Sequence, residues 1–135
     1  MTDPIVTKCR DLWKAYGTVP IWFALPFAKI LDRSSILKTR HWATVIPDER
    51  STYVFTDEEA YYKDYAESEF AWTWKKASWD CMRHVEIIGQ GCIPVFLNLD
   101  LCPDYDLVGY PKALLKDIVQ KFIYAGVEEK AQWRF

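Results

Sequence analysis

Residues 79–96, WDCMRHVEIIGQGCIPVF, run from an amphipathic pattern into a wholly apolar one. Met82, Val85 and Ile88, with Cys81 and Ile87, recur at helical spacing from about Asp80 to Gln90. Gly91 supplies the left-handed residue that ends many helices. The segment CIPVFLNL, from Cys92, has no polar alternation, as expected of a strand covered on both faces in a parallel sheet. Leucine and alanine would serve packing at the helix positions held by Arg83, His84 and Glu86, so these three side chains ask what they hold.

Moving toward the N-terminus, TWKKASWD leads into that helix and FAWTWKK reads equally as a strand or an extended loop. Thr56 and Glu59 match a capping box, which predicts a helix from about Asp57 that ends before Trp72. WATVIP from Trp42 and STYVF from Ser51 read as short strands around a loop at PDER, and Phe27 to Lys38 as one or two helical turns. VPIWFAL, from Val19, reads as a strand stopped by Pro26. In DPIVTKCRDLWKAYG, Asp3 can cap, Pro4 suits a first turn, Ile5, Cys9, Leu12, Trp13 and Tyr16 share a face, and Gly17 can end the helix. On the C-terminal side PDYDLVGY is a loop. Pro111 then opens a helix whose Leu114, Leu115, Ile118, Val119, Phe122 and Ile123 form a stripe, ended by Gly126.

The expected order is therefore helix, strand, strand, helix, helix, strand, helix. That alternation predicts an α/β fold, a Rossmann-like layered domain with a short, mostly parallel sheet flanked by helices. A chain of 135 residues is the size of one domain, so residues 1–135 are expected to form a single α/β unit. Half the residues are hydrophobic and 16% aromatic, which excludes a disordered chain. Seventeen basic and nineteen acidic side chains give a net charge of -2, so no global field draws in nucleic acid or an anionic membrane. The longest apolar run falls short of the ~20 residues of a membrane span, and the N-terminus has no basic and apolar export signal, so a cytoplasmic protein is the expectation. Cys9, Cys81, Cys92 and Cys102 lack zinc-site spacing and read as reduced thiols, with no metal expected.

Ligands of open α/β sheets sit at the carboxyl ends of strands and at helix N-termini. Lys75 and Lys76 precede the helix N-terminus and could hold an anion there. Arg83 could contact a diphosphate and Glu86, one turn on, a ribose hydroxyl; a plain Arg83–Glu86 surface pair is the alternative. His84 beside Cys81 could be a catalytic pair, but no group to orient the base is evident, and a helix histidine at the domain surface or packed under a loop is the commoner setting. Tyr61, Tyr62, Tyr65, Phe70, Trp72 and Trp74 read as core, or else as a stacking surface for a base or sugar ring.

The segment RHVEIIGQGCIPVFLN resembles the nucleotide-binding segment of exostosin-like glycosyltransferases: an arginine, a helix glutamate, then a Gly-Cys-Ile-Pro-Val strand. From about Lys38 to Leu115 the chain is similar to viral and marine-microbial glycosyltransferase-like proteins with a Lys-Lys-Ala-Gly-Trp-Asp-Cys-x-Arg-His-Tyr-Glu-Ile core. Ser78 stands where that core has glycine, and Val85 where it has tyrosine. The resemblance implies the C-terminal, nucleotide-sugar-binding half of a two-domain, metal-independent enzyme of the GT-B type. Lys76 and Arg83 would face the diphosphate, with Lys75 and Ser78 beside them, and Glu86 would face the ribose. The donor nucleotide sugar would be a substrate and no cofactor is implied. The acceptor-binding half would be missing, so the chain alone is expected to be inactive, and to pair with that half or with a second copy of itself. A non-catalytic binding or assembly module with the same fold is the competing class.

Overall fold

The computed structural model describes residues 3–17, 24–32 and 37–124. Helix α1 spans Pro4–Tyr16. Strand β1 (Arg40–Trp42), helix α2 (Glu58–Glu67), strand β2 (Ser68–Thr73), helix α3 (Met82–Gly89), strand β3 (Ile93–Phe96) and helix α4 (Lys112–Ile118) follow. A π-helical stretch, Val119–Tyr124, continues α4.

The three strands form one parallel sheet in the order β1-β2-β3. Parallel neighbours need a crossover, and α2 and α3 supply the two. Two right-handed crossovers stepping the same way across a sheet leave both helices on one face. Accordingly, Tyr65 of α2 and Ile87 of α3 pack with Ala43, Ala71 and Cys92 in one buried cluster. On the other face Trp72, Val95 and Val119 are buried together, so the continuation of α4 covers the centre of the sheet. A third cluster, Trp79, Phe96, Leu99, Leu107 and Leu115, closes the β3 side. The α/β layering expected from the alternation is the architecture observed.

The sheet register pairs Trp42 with Phe70 and Thr73 with Phe96. The β1–β2 ladder runs one bond further, from the Ala43 N–H to the Phe70 carbonyl at 2.9 Å. There it stops. Asp64 of α2, 2% exposed, accepts bonds from the Thr44 N–H at 2.8 Å and the Thr44 hydroxyl at 2.7 Å. The strand expected from Trp42 onward therefore begins earlier, at Arg40, and the chain leaves the sheet where a carboxylate outcompetes the ladder.

Nor is Ser51 to Phe55 a strand. Arg50–Thr52 is a short 3-10 turn, and the Thr52 hydroxyl accepts from the Ile46 N–H at 2.9 Å. That side chain fastens the loop on itself, and the pairing expected around PDER does not form. Among the described residues helix and strand alternate, and β2 separates the two helices expected in succession. The cap of α2 also shifts by one residue: Asp57, not Thr56, accepts from the Ala60 N–H at 2.8 Å. FAWTWKK, open between strand and loop in the sequence, divides into the end of β2 and an exposed loop.

Gly17 and Gly91 both adopt φ of +67°, as their helix-ending positions require. On α1 Leu12 of the predicted stripe is buried, while Trp13 and Tyr16 stay exposed; Tyr16 makes an edge contact to Tyr105 at 5.6 Å. The expected strand at 19–25 lies almost wholly outside the described residues, as does Gly126. Between Pro26 and Lys38 the turn observed is Phe27–Lys29. Lys38 is a feature the sequence did not announce. Its ammonium donates to the carbonyls of Tyr65, Ala66 and Gln90 at 3.3, 2.8 and 3.4 Å, where α2 and α3 both end. A cation there satisfies orphan carbonyls and opposes two helix dipoles.

Candidate functional site at the carboxyl edge of the sheet

Three loops leave the carboxyl ends of the strands: residues 43–57, 74–81 and 97–111. The middle one carries Lys75, Lys76 and Ser78, all exposed. It is a tight turn in which the Lys76 N–H donates to the Ser78 carbonyl at 3.2 Å. The Ser78 hydroxyl accepts from the Asp80 N–H at 3.2 Å. The serine therefore organises the loop without capping α3. Its φ is not positive, so serine in place of glycine brings no backbone strain here.

Cys81 occupies the cap position of α3, and no side chain caps the first turn. The His84 N–H donates to the Cys81 carbonyl at 3.1 Å, and no side-chain oxygen caps the first turn of α3, which follows the two lysines in the chain. Neither Lys75 nor Lys76 makes an ion pair within the described residues. Unneutralised cations at a helix start and a strand's carboxyl end are a setting for an anion.

Arg83 lies in the first turn of α3 and is half-buried. Its guanidinium donates to the Tyr53 hydroxyl at 3.1 Å and lies 5.9 Å from that ring's centre. This ties α3 to the first loop. The Trp74 indole N–H, donating to Asp48 at 3.0 Å, ties the middle loop to the same segment.

Glu86 points toward α2. It accepts from the Tyr61 hydroxyl at 3.0 Å and from the Tyr62 hydroxyl at 3.4 Å. The Tyr65 hydroxyl donates to Tyr61 at 3.1 Å, which extends the chain into the core. Burial, with the charges of Glu86 and Glu58 behind it, pushes the Tyr62 hydroxyl up to about 12. Burial raises Tyr61 and Tyr65 too. All three remain donors at neutral pH, and the carboxylate keeps unused lone pairs.

Arg83 and Glu86 share a helix flank but form no ion pair with each other, so the plain surface pair is not what the structure holds. Instead both face tyrosines. The sequence named the two charges and missed Tyr53, Tyr61 and Tyr62 as their partners. The only signal available was the placement of Tyr61 and Tyr65 four apart on an acidic helix.

Glu86 therefore has a structural role whatever else it binds. Glu86→Ala is expected to lower stability by about 1–2 kcal/mol, because two partly buried hydroxyls lose their acceptor. Glu86→Gln, which can still accept one of them, should cost less. Denaturant unfolding of the two variants measures both.

A cavity of about 440 Å³ lies on the other flank of α3, lined by Leu25, Ile30, Val85, Ile88 and Tyr110 among others. Its lining has no charged side chain, so a diphosphate would not be held there. Val85, where the resembling proteins have tyrosine, faces this cavity rather than the lysine loop.

All four cysteines are free. Among the described residues no three His, Cys, Asp or Glu side chains cluster closely enough to hold a metal. No described helix is long and apolar enough to cross a membrane. Comparison of the chain with protein-family models, with curated proteins and with solved structures finds no match.

Proposed function

We propose that the chain binds a nucleoside diphosphate, as the donor-binding half of a metal-independent glycosyltransferase. The observation that carries the binding is the β2–α3 loop, with Lys75, Lys76 and Ser78 exposed beside the uncapped first turn of α3. The transferase and its nucleotide-sugar donor come from the resemblance of RHVEIIGQGCIPVFLN to exostosin-like enzymes and of residues 38–115 to viral and marine-microbial glycosyltransferase-like proteins.

In this reading the α3 amides and the two ammonium groups neutralise the diphosphate. Arg83 supplies a forked donor from the first turn, given up by Tyr53 or shared with it. The remaining lone pairs of Glu86 accept from a ribose hydroxyl. The tyrosines hold both charged side chains in place before the ligand arrives, which reduces the entropy lost on binding.

Arg83→Ala is expected to weaken binding of the preferred nucleoside diphosphate by about 1.5–3 kcal/mol, the size of a charge-assisted contact. Ligand-induced shifts in melting temperature, compared across wild type and variant, read this out. An unchanged ligand shift in the variant would remove Arg83 from the site.

Transfer needs an acceptor held in line and a base within hydrogen-bond reach of it. In a GT-B arrangement that base comes from the other domain, so the purified chain should turn over no donor. Trp42, Phe70 and Trp74 are only half-buried on the sheet face that Val119 partly covers. Such an aromatic surface suits contact with a second domain or a second copy. A product assay run with light scattering tests both: a monomer that transfers sugar would show that one domain suffices.

A further inference from the structure

His84 sits in the first turn of α3 with no exposed surface. Its ring lies edge-on to Phe96 at 4.7 Å and faces Tyr110 at 6.3 Å. The backbone of Trp74 and of Trp79, near the two ends of the lysine loop, favours a protonated ring, but neither nitrogen makes a hydrogen bond of ordinary geometry. Thr73, the residue just before the loop, is also fully buried, with its hydroxyl unbonded. The buried side-chain polar atoms without a partner, among the described residues, all lie at the base of this one loop. Such a concentration calls for an explanation.

We propose that His84 is an acid-operated latch beneath the loop Trp74–Asp80: the neutral ring lets the loop pack down over it, and a protonated ring lifts the loop off. A buried imidazolium needs two well-aligned acceptors or water, and the backbone at Trp74 and Trp79 offers the packed ring only poorly aligned ones that do not offset its burial. The loop is the part that yields at least cost. Residues 75–78 are all exposed, and the segment is anchored at its ends, by Trp74 against Asp48 and the cluster around Trp72, and by the buried Trp79.

The surrounding charges do not relieve a protonated ring. On its own helix Arg83 repels it. Phe96 of β3 brings no charge. Tyr110, from the 97–111 loop, keeps its proton because burial and the charge of Asp80 raise its hydroxyl. Lys75 and Lys76 on the loop add positive charge. Asp80 is the loop's carboxylate, and burial together with Asp106 pushes it upward.

Burial lowers His84 from 6.5 to about 4, with the adjacent Arg83 acting in the same direction. The sign follows from which form binds the proton. Above pH 6.5 the ring is neutral whether the loop is up or down, and pH has no effect. Below it the lifted form binds the proton more tightly, so opening grows as pH falls, up to tenfold per unit, and levels off near pH 4.

Hydrogen exchange of loop and strand peptides, corrected for intrinsic rates, tests the latch in the full chain without ligand. The expected result is a rise of roughly fiftyfold in loop opening from pH 7 to pH 4.5, with β3 amides unchanged. His84→Phe should flatten the response, and His84→Gln should do so if the phenylalanine variant does not fold. Asp80→Asn should keep it. A flat wild-type response, a response that survives loss of His84, or a ring that titrates near 6.5 by NMR in the folded chain would each overturn the latch. The latch rests on loop geometry and not on the ligand proposed above. An acid-sensitive loop in a chain with no affinity for diphosphates would leave the latch standing and remove that ligand.

Discussion

Asp64→Ala is expected to cost about 3–5 kcal/mol, because it removes a buried carboxylate on which several partners depend. Asp64 accepts two bonds from Thr44 and pairs with Arg40 at 2.9 Å. Without it, the Thr44 N–H and hydroxyl lose their acceptor, and Arg40 faces a space that had a counter-charge. Arg40 is 41% exposed and can turn to water, so most of the loss comes from Thr44 and the detached loop. Asp64→Asn keeps one oxygen and should lose less. Denaturant titration of the two variants should rank them in that order. A cost below about 1 kcal/mol for the alanine variant would mean that β1 ends for some other reason.

Tyr65→Ala should be of similar size, about 3–5 kcal/mol, since it empties a fully buried ring site. Ala43, Ala71 and Cys92 around it are small, and small neighbours cannot collapse far into the space. Tyr65→Phe keeps the packing and removes only the donor to Tyr61, with an expected cost near 1 kcal/mol. The difference between the two variants separates packing from the hydroxyl chain that leads to Glu86. Equal losses would place the energy in the chain and not in the ring.

What the sequence disclosed depended on how local the cause was. Helix α3, its stop at Gly91 and the buried strand after it were legible because periodicity, a left-handed glycine and an unbroken apolar run are written within twenty residues. Helix α1 was legible in extent but not in burial: Leu12 of its apolar stripe is covered, yet Trp13 and Tyr16 are exposed. Strand β1 was misplaced because it has three residues, two of them Arg40 and His41, and its end is set by Asp64, twenty positions later. Ser51 to Phe55 has strand-forming residues, but Thr52 bonds back to Ile46. A pattern of propensities carries no record of such a bond.

The candidate site divides in the same way. That Lys75, Lys76, Ser78 and Arg83 gather at the carboxyl edge follows from the strand–loop–helix pattern, and the structure places them there. The tyrosines that engage Arg83 and Glu86 come from distant segments, so spacing along α3 could not reveal them. His84, in the sequence a helix histidine at the surface or under a loop, or else half of a catalytic pair, is buried. Its lack of hydrogen bonds is a property of the fold alone.

The most direct test of the account is calorimetric titration of the full chain with UDP, ADP, GDP and CDP at pH 7.5, beside the Lys75→Ala/Lys76→Ala double variant. Both lysines are exposed, so the double variant should keep its stability within about 0.5 kcal/mol. The account predicts that at least one of the four diphosphates binds, and that the double variant binds it about tenfold or more weakly, as loss of two phosphate-facing charges requires. No heat from any of the four at millimolar ligand, or equal affinity in the double variant, would contradict it.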